Sequence, residues 1–150
     1  MFHYIWEASE DAGLFVSEEA TDDDGVALAL AILDNPGTVT INSGKVNLNN
    51  AVNPTLLFDV KSETITSLNV VGSKDGAELA NVATANVTSE YTTVKVPLTS
   101  LAGGRYAQIG ISADFANATT LEIDWNTYST YYEYGDLLTI DNIRIDTCLS

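Results

Sequence analysis

The sequence is short of the residues on which most reactive chemistry depends. Cys148 is its only cysteine and lies close to the end of the chain, so neither an internal disulfide framework nor a cysteine-based zinc site can form. His3 is the only histidine, near the start. A Ser/His/Asp triad would have to recruit it from beside a terminus, and a histidine-rich metal site is excluded. Lys and Arg together number 6 against 21 Asp and Glu, a formal charge of -15. Such a surface repels anionic polymers, so nucleic acid and anionic membranes are poor partners. No run approaches the roughly 20 apolar residues of a membrane span, and long amphipathic helical patterns are missing.

What is present suits one ordinary domain. The 150 residues, 45% hydrophobic, can bury a single core without staples. The start at Met1, Phe2 and His3 lacks the basic-then-apolar order of a signal peptide. The expectation is a single domain over residues 1–150, excised from a larger multidomain protein.

The dominant texture is short runs of Val, Ile, Thr and Tyr punctuated by Asn, Asp, Gly and Ser, which predicts an all-β chain. Val26 to Leu33 alternates Val26, Leu28, Leu30 and Ile32 against three alanines. The Asn35-Pro36-Gly37 turn after it predicts a hairpin-like pair with Thr38 to Ile41. Leu56 to Lys61, entered through Asn53-Pro54, puts Leu56, Phe58 and Val60 on one face. Further strands are expected at Leu68 to Val71, Tyr91 to Val96, Tyr106 to Phe115, Leu121 to Trp125 and Leu137 to Ile145, the last of these central. The Ala-rich stretch before Val87 is left open. About eight or nine strands make two facing antiparallel sheets, a β-sandwich of the jelly-roll or immunoglobulin-like kind.

Several patterns, in order, resemble the MAM-like jelly roll, the family of MAM adhesive domains and of the cleaved-adhesin domains of bacterial surface proteins. They are Thr21-Asp22-Asp23-Asp24-Gly25 before the first long strand, Asn53-Pro54-Thr55-Leu56-Leu57-Phe58, Tyr91-Thr92-Thr93-Val94 with Pro97-Leu98, and Ile140-Asp141-Asn142-Ile143-Arg144-Ile145. The missing cysteine pairs favour the bacterial adhesin-like or carbohydrate-binding-like branch. The resemblance implies a jelly roll with a structural calcium ion joining early and late segments. Carried over by position, its ligands are Asp22, Asp24 and Asp141, with Glu7 a further candidate. A solvated acidic loop between Glu7 and Asp24 is the alternative.

Two other groupings could carry function. Trp125, Tyr128, Tyr131, Tyr132 and Tyr134 fall within ten residues, interleaved with Asn, Thr, Ser and Glu. Flat aromatic faces suit the C–H face of a pyranose, and the same rings could grip a protein or simply cap the sandwich. Two or more rings exposed and coplanar would favour a ligand surface, whereas buried rings would rule it out. Glu122, Asp124 and Glu133 form the only carboxylate grouping that a glycosidase reading could use, and it is a thin one. Asn86-Val87-Thr88 and Asn117-Ala118-Thr119 fit the N-glycosylation pattern, which recurs by chance in a chain this rich in Asn and Thr. The sequence therefore points to a non-catalytic, extracellular or cell-surface binding or adhesion module, carbohydrate-binding in kind. Its expected partners are a glycan or surface protein and the neighbouring domains. A structural spacer, or an accessory sandwich of a secreted enzyme with no ligand of its own, is the alternative.

Overall fold

A computed structural model describes residues 6–17, 19–20 and 25–147 of the chain. His3, Asp22, Asp24 and Cys148 lie outside the described residues. Twelve strands form among those described: β1 (Glu7–Ala8), β2 (Ala12–Ser17), β3 (Ala27–Ile32), β4 (Gly37–Asn42), β5 (Thr55–Lys61), β6 (Ser67–Ser73), β7 (Ala80–Asn86), β8 (Thr92–Pro97), β9 (Gln108–Phe115), β10 (Thr120–Asp124), β11 (Ser129–Glu133) and β12 (Leu138–Asp146). The only helical piece among them is a 3-10 turn at Thr99–Leu101. No helix among the described residues is long and apolar enough to cross a membrane.

Two five-stranded antiparallel sheets face one another. Sheet A runs β1-β4-β9-β6-β7 and sheet B runs β2-β3-β12-β5-β8, while β10 and β11 pair only with each other as a separate ribbon. This is a jelly-roll sandwich, with consecutive strands repeatedly changing sheet. Period-two alternation builds the core: Leu30, Leu56, Phe58, Leu138 and Ile140 from sheet B meet Val39, Leu68, Ile109, Ile111 and Phe115 from sheet A, all almost fully buried. As expected, β12 is central, with β3 on one side and β5 on the other.

One connection differs from expectation. β3 and β4 are not a hairpin, because β3 belongs to sheet B and β4 to sheet A. Asp34, in the left-handed region at φ 70°, turns the chain from one sheet to the other, where a hairpin turn would have returned it to the same sheet. The stretch read as an acidic loop also contains β1 and the edge strand β2, and the Ala-rich stretch left open is β7.

Strand β12 carries a bulge. Its register with β5 shifts between Asp141 and Arg144, and Asn142 takes φ 54° there. Asn is among the few non-glycine residues that adopt this conformation at small cost. The Asn142 side-chain amide donates to Asp59 Oδ2 at 3.0 Å, and its backbone N–H donates to Asp141 Oδ1 at 2.9 Å. The bulge thereby turns toward the outer face of sheet B.

Candidate functional site

The outer face of sheet B is built by registered rows. Phe15 of β2 lies opposite Ala29 of β3, Ala29 opposite Thr139 of β12, and Thr139 opposite Lys61 of β5. In the adjacent row Asp141 lies opposite Asp59, and Asp59 opposite Thr93 of β8. Cross-strand partners share a face, so these side chains all project outward. The small residues of β3 make the floor, since Ala27, Ala29 and Ala31 are buried although they point away from the core.

One margin of this face is aromatic. Phe15 meets Tyr132 edge-on at 5.0 Å and Tyr134 edge-on at 5.1 Å, and the two tyrosines stack on each other at 6.3 Å. The T-shaped contacts place the positive ring edges against a negative ring face, which fixes ring orientation as well as position. The opposite margin is polar. Lys61 Nζ sits 2.8 Å from Glu19 Oε2 and 5.1 Å from the centre of the Tyr91 ring, whose hydroxyl donates to the Glu19 carbonyl. Burial raises the Tyr91 hydroxyl above its ordinary value of 10.0, and the negative charges of Asp141, Glu19 and Asp59 raise it further. Thr93 donates to Asp59 at 2.6 Å. Between the margins lies a depression of about 240 Å³ bordered by Glu19, Lys61, Ser62, Leu137 and Thr139.

The β10–β11 ribbon walls this face, and Asp136 fixes its base. Asp136 Oδ2 accepts from the backbone N–H groups of Ala116 (2.8 Å) and Asn117 (2.9 Å), and its other oxygen accepts from the Asn117 side-chain amide. Gly135 is needed beside it. A Cβ there would collide with the backbone carbonyl oxygens of Asn117 and Ala118. The ribbon's register puts Leu121 opposite Tyr132 and Ile123 opposite Thr130, so Leu121, Ile123 and Tyr132 share the face that includes the contact with Phe15.

The five aromatic candidates thus divide. All are exposed, from 43% at Tyr132 to 82% at Tyr128, and none is absorbed into the core. Tyr132 and Tyr134 are brought together at the sheet margin. Tyr131 projects from the other side of the ribbon opposite Glu122, and Trp125 and Tyr128 stand in the loop at its tip. Phe15, Lys61, Asp59 and Tyr91 complete the face and were missed by the sequence reading. Asp59, Lys61 and Tyr91 had a readable signal, each on the side of an alternating strand opposite its apolar residues, whereas Phe15 had none.

Of the metal candidates, Asp141 is buried at 8% exposure on this face, whereas Glu7 lies in β1 of the opposite sheet. Among the described residues no three His, Cys, Asp or Glu converge at metal-binding distance. Glu122 accepts from Thr120 and Asp124 from the Asn126 backbone, contacts that shape the ribbon. Of the two glycosylation patterns, Asn86 is exposed, but Asn117 is tied to Asp136 and Thr119 is fully buried.

Fold and face together define a jelly-roll sandwich with an aromatic-margined outer sheet. Solved structures share this architecture along almost the whole chain. One is TmCBM61 in complex with β-1,4-galactotriose, at TM-score 0.62 and 15% identity, covering 95% of this chain and 88% of that one. Another is the family 30 carbohydrate-binding module of the cellulosomal cellulase Cel9D-Cel44B of Clostridium thermocellum, at TM-score 0.61 and 16% identity, covering 97% and 91%. A third is the CBM22-1 xylan-binding domain of Paenibacillus barcinonensis Xyn10C, at TM-score 0.62 and 12% identity, covering 97% and 86%. No protein-family model and no curated protein sequence matches the chain.

Proposed function

We propose that this chain is a non-catalytic carbohydrate-binding module working outside the cell, and that a neutral glycan lies across the outer face of sheet B beneath the β10–β11 ribbon. The observation that carries the reading is the cluster of exposed Tyr132 and Tyr134 with half-buried Phe15, standing beside a shallow depression lined by hydroxyl and charged groups. Ring faces take the apolar side of a sugar, while Thr139, Thr93, Lys61 and Glu19 can bond its hydroxyls. Asp59, Asp141 and Glu19 on the same face repel anionic chains, which favours an uncharged polymer. The architecture shared with modules described as bound to galactotriose or as xylan-binding supports the same class of ligand. On a secreted enzyme such a module would hold the catalytic unit at its polymer. On a MAM-like surface adhesin it would attach the cell to glycan.

The test is retardation of the domain in native gels containing soluble galactan, xylan or mixed-linkage glucan. At least one should retard it, and Tyr132→Ala or Phe15→Ala should weaken that binding about tenfold or more. If no neutral polysaccharide slows the unmutated domain, the carbohydrate reading fails and the spacer reading takes its place.

We also propose a calcium ion as the structural partner of Asp141. In support, Asp141 and Asp59 lie opposite each other in one register, an arrangement of like charges that a cation would relieve. Two carboxylates cannot complete a calcium shell, so Asp22 and Asp24 of the acidic turn would have to supply further oxygens. At a hundredfold excess over Kd, calcium should raise the melting temperature by about 5–10 °C relative to EDTA, and Asp141→Ala should abolish the difference. An unchanged melting temperature in the unmutated domain would end the idea.

A further inference from the structure

We infer a second ligand site on the opposite side of the sandwich, at Tyr106 and Lys45 beyond the end of sheet A, suited to a sugar that bears a carboxylate. The site lies apart from the sheet B face and stands whether or not that face binds glycan. Its floor is the outward pair Ser73 of β6 and Gln108 of β9, which are register partners. The turn through Asp75, Gly76 and Ala77 forms one wall, and Lys45 with Tyr106 forms the other, bordering an open depression of about 230 Å³.

The wall is rigidly made. Asp75 and Gly76 both have positive φ, at 52° and 84°. That turn aims the Asp75 carboxylate at the backbone of the next loop, where Oδ1 accepts from the N–H groups of Arg105 (2.8 Å) and Tyr106 (3.0 Å). These bonds pin the backbone that carries Tyr106, whose ring remains 52% exposed. Val46 and Ala107 pair in an isolated bridge just beneath, which holds Lys45 beside the same loop. The Lys45 ammonium lies 5.4 Å from the centre of the Tyr106 ring.

Charge distribution selects the ligand. Lys45, Lys74 and Arg105 are half of the 6 basic residues in a chain with a net charge of -15, and they gather around this one loop cluster. The Lys74 stem packs along Gly103 and Gly104, immediately before Arg105. Asp75 is turned toward its two backbone donors, and with Glu78 the only other carboxylate in that turn the three basic residues outnumber the acids in this loop cluster, which lessens the repulsion an anion meets there. An exposed ring beside an ammonium, over an amide and a hydroxyl, offers a uronic acid unit three things: a surface for its C–H face, a partner for its carboxylate and bonds for its hydroxyls. The small, open-sided volume fits one such unit at a branch or chain end.

The experiment follows the backbone amides of the whole domain by NMR during titration with a galacturonate trisaccharide, and separately with the neutral galactose trisaccharide. The acidic sugar should shift Lys45, Ser73, Tyr106 and Gln108 saturably, and the neutral one should act at least about tenfold more weakly there. Lys45→Met, which keeps the stem, should weaken the acidic sugar about tenfold, and Lys45→Arg should restore most of the binding. Tyr132→Ala should leave these shifts unchanged, which separates this site from the face of sheet B. Absence of shifts at the four residues would overturn the inference. So would equal shifts with the neutral sugar, or with acetate at matched ionic strength.

Discussion

Asp136 sits where the ribbon leaves the sandwich, 5% exposed, and its carboxylate is the acceptor for two backbone N–H groups and a side-chain amide. Burial by itself would raise its pKa, but the bonds from the Asn117 backbone and side chain, from Thr64 and from the Ala116 backbone outweigh it and hold the carboxyl below its ordinary 3.8. A carboxyl depressed in the folded state contributes stability that is fully present well above 3.8 and is lost as pH falls through the folded value. Asp136→Asn keeps the shape and removes the charge, so at pH 7 it should cost about 1–3 kcal/mol in urea unfolding. The gap between variant and parent should close as pH is lowered into the range where the parent carboxyl is itself protonated. A gap that stays constant from pH 7 to pH 2.5 would show that charge at Asp136 plays no part. The sequence shows an acid next to a glycine here, and nothing in it announces a clamp, because Ala116 and Asn117 lie about twenty residues upstream in a loop and Thr64 lies farther still, between β5 and β6.

The element that matters most for the site is the β10–β11 ribbon, and Gly135 governs how it meets the body. A methyl group at this position would run into two backbone carbonyls that cannot swing aside as a side-chain end could. Gly135→Ala should therefore lower the melting temperature by several degrees, corresponding to about 1–3 kcal/mol of overpacking, and should weaken glycan retardation by displacing Tyr132 and Tyr134. A variant as stable as the parent, with binding intact, would mean that the ribbon tolerates a new angle. At this scale legibility followed burial. β5 and β8 were readable because one face of each is buried and the alternation is strong, and β12 through its alternating apolar residues, although both faces of its first half are buried. β11 was not, since all five of its residues are exposed and its sequence carries no inward–outward contrast. β2 was hidden for a related reason: it is an edge strand with Leu14 and Val16 exposed, set in an acidic stretch that reads as solvent-facing. The turn after β3 misled because Pro and Gly signal a reversal of direction without stating whether the chain stays in its sheet.

Across the whole molecule, the sandwich was foreseeable and the tyrosine-rich cluster stood out in the sequence, whereas the ribbon that carries it and the face that ribbon and sheet make together were not. Phe15 and Tyr132 meet across more than a hundred residues, through a strand order that composition cannot reveal. The two ends of that ribbon also divide what its aromatic residues can report. Trp125, 72% exposed at the tip, is one of only two tryptophans, and the other, Trp6, is partly buried against the core. Indole emission depends on the polarity around the ring, and the Trp125 indole stands largely in water while the protein is native. Its light is therefore nearly silent about loss of the core and speaks chiefly of whatever comes to rest against the tip of the ribbon, which makes the intact domain its own probe for partners at that end.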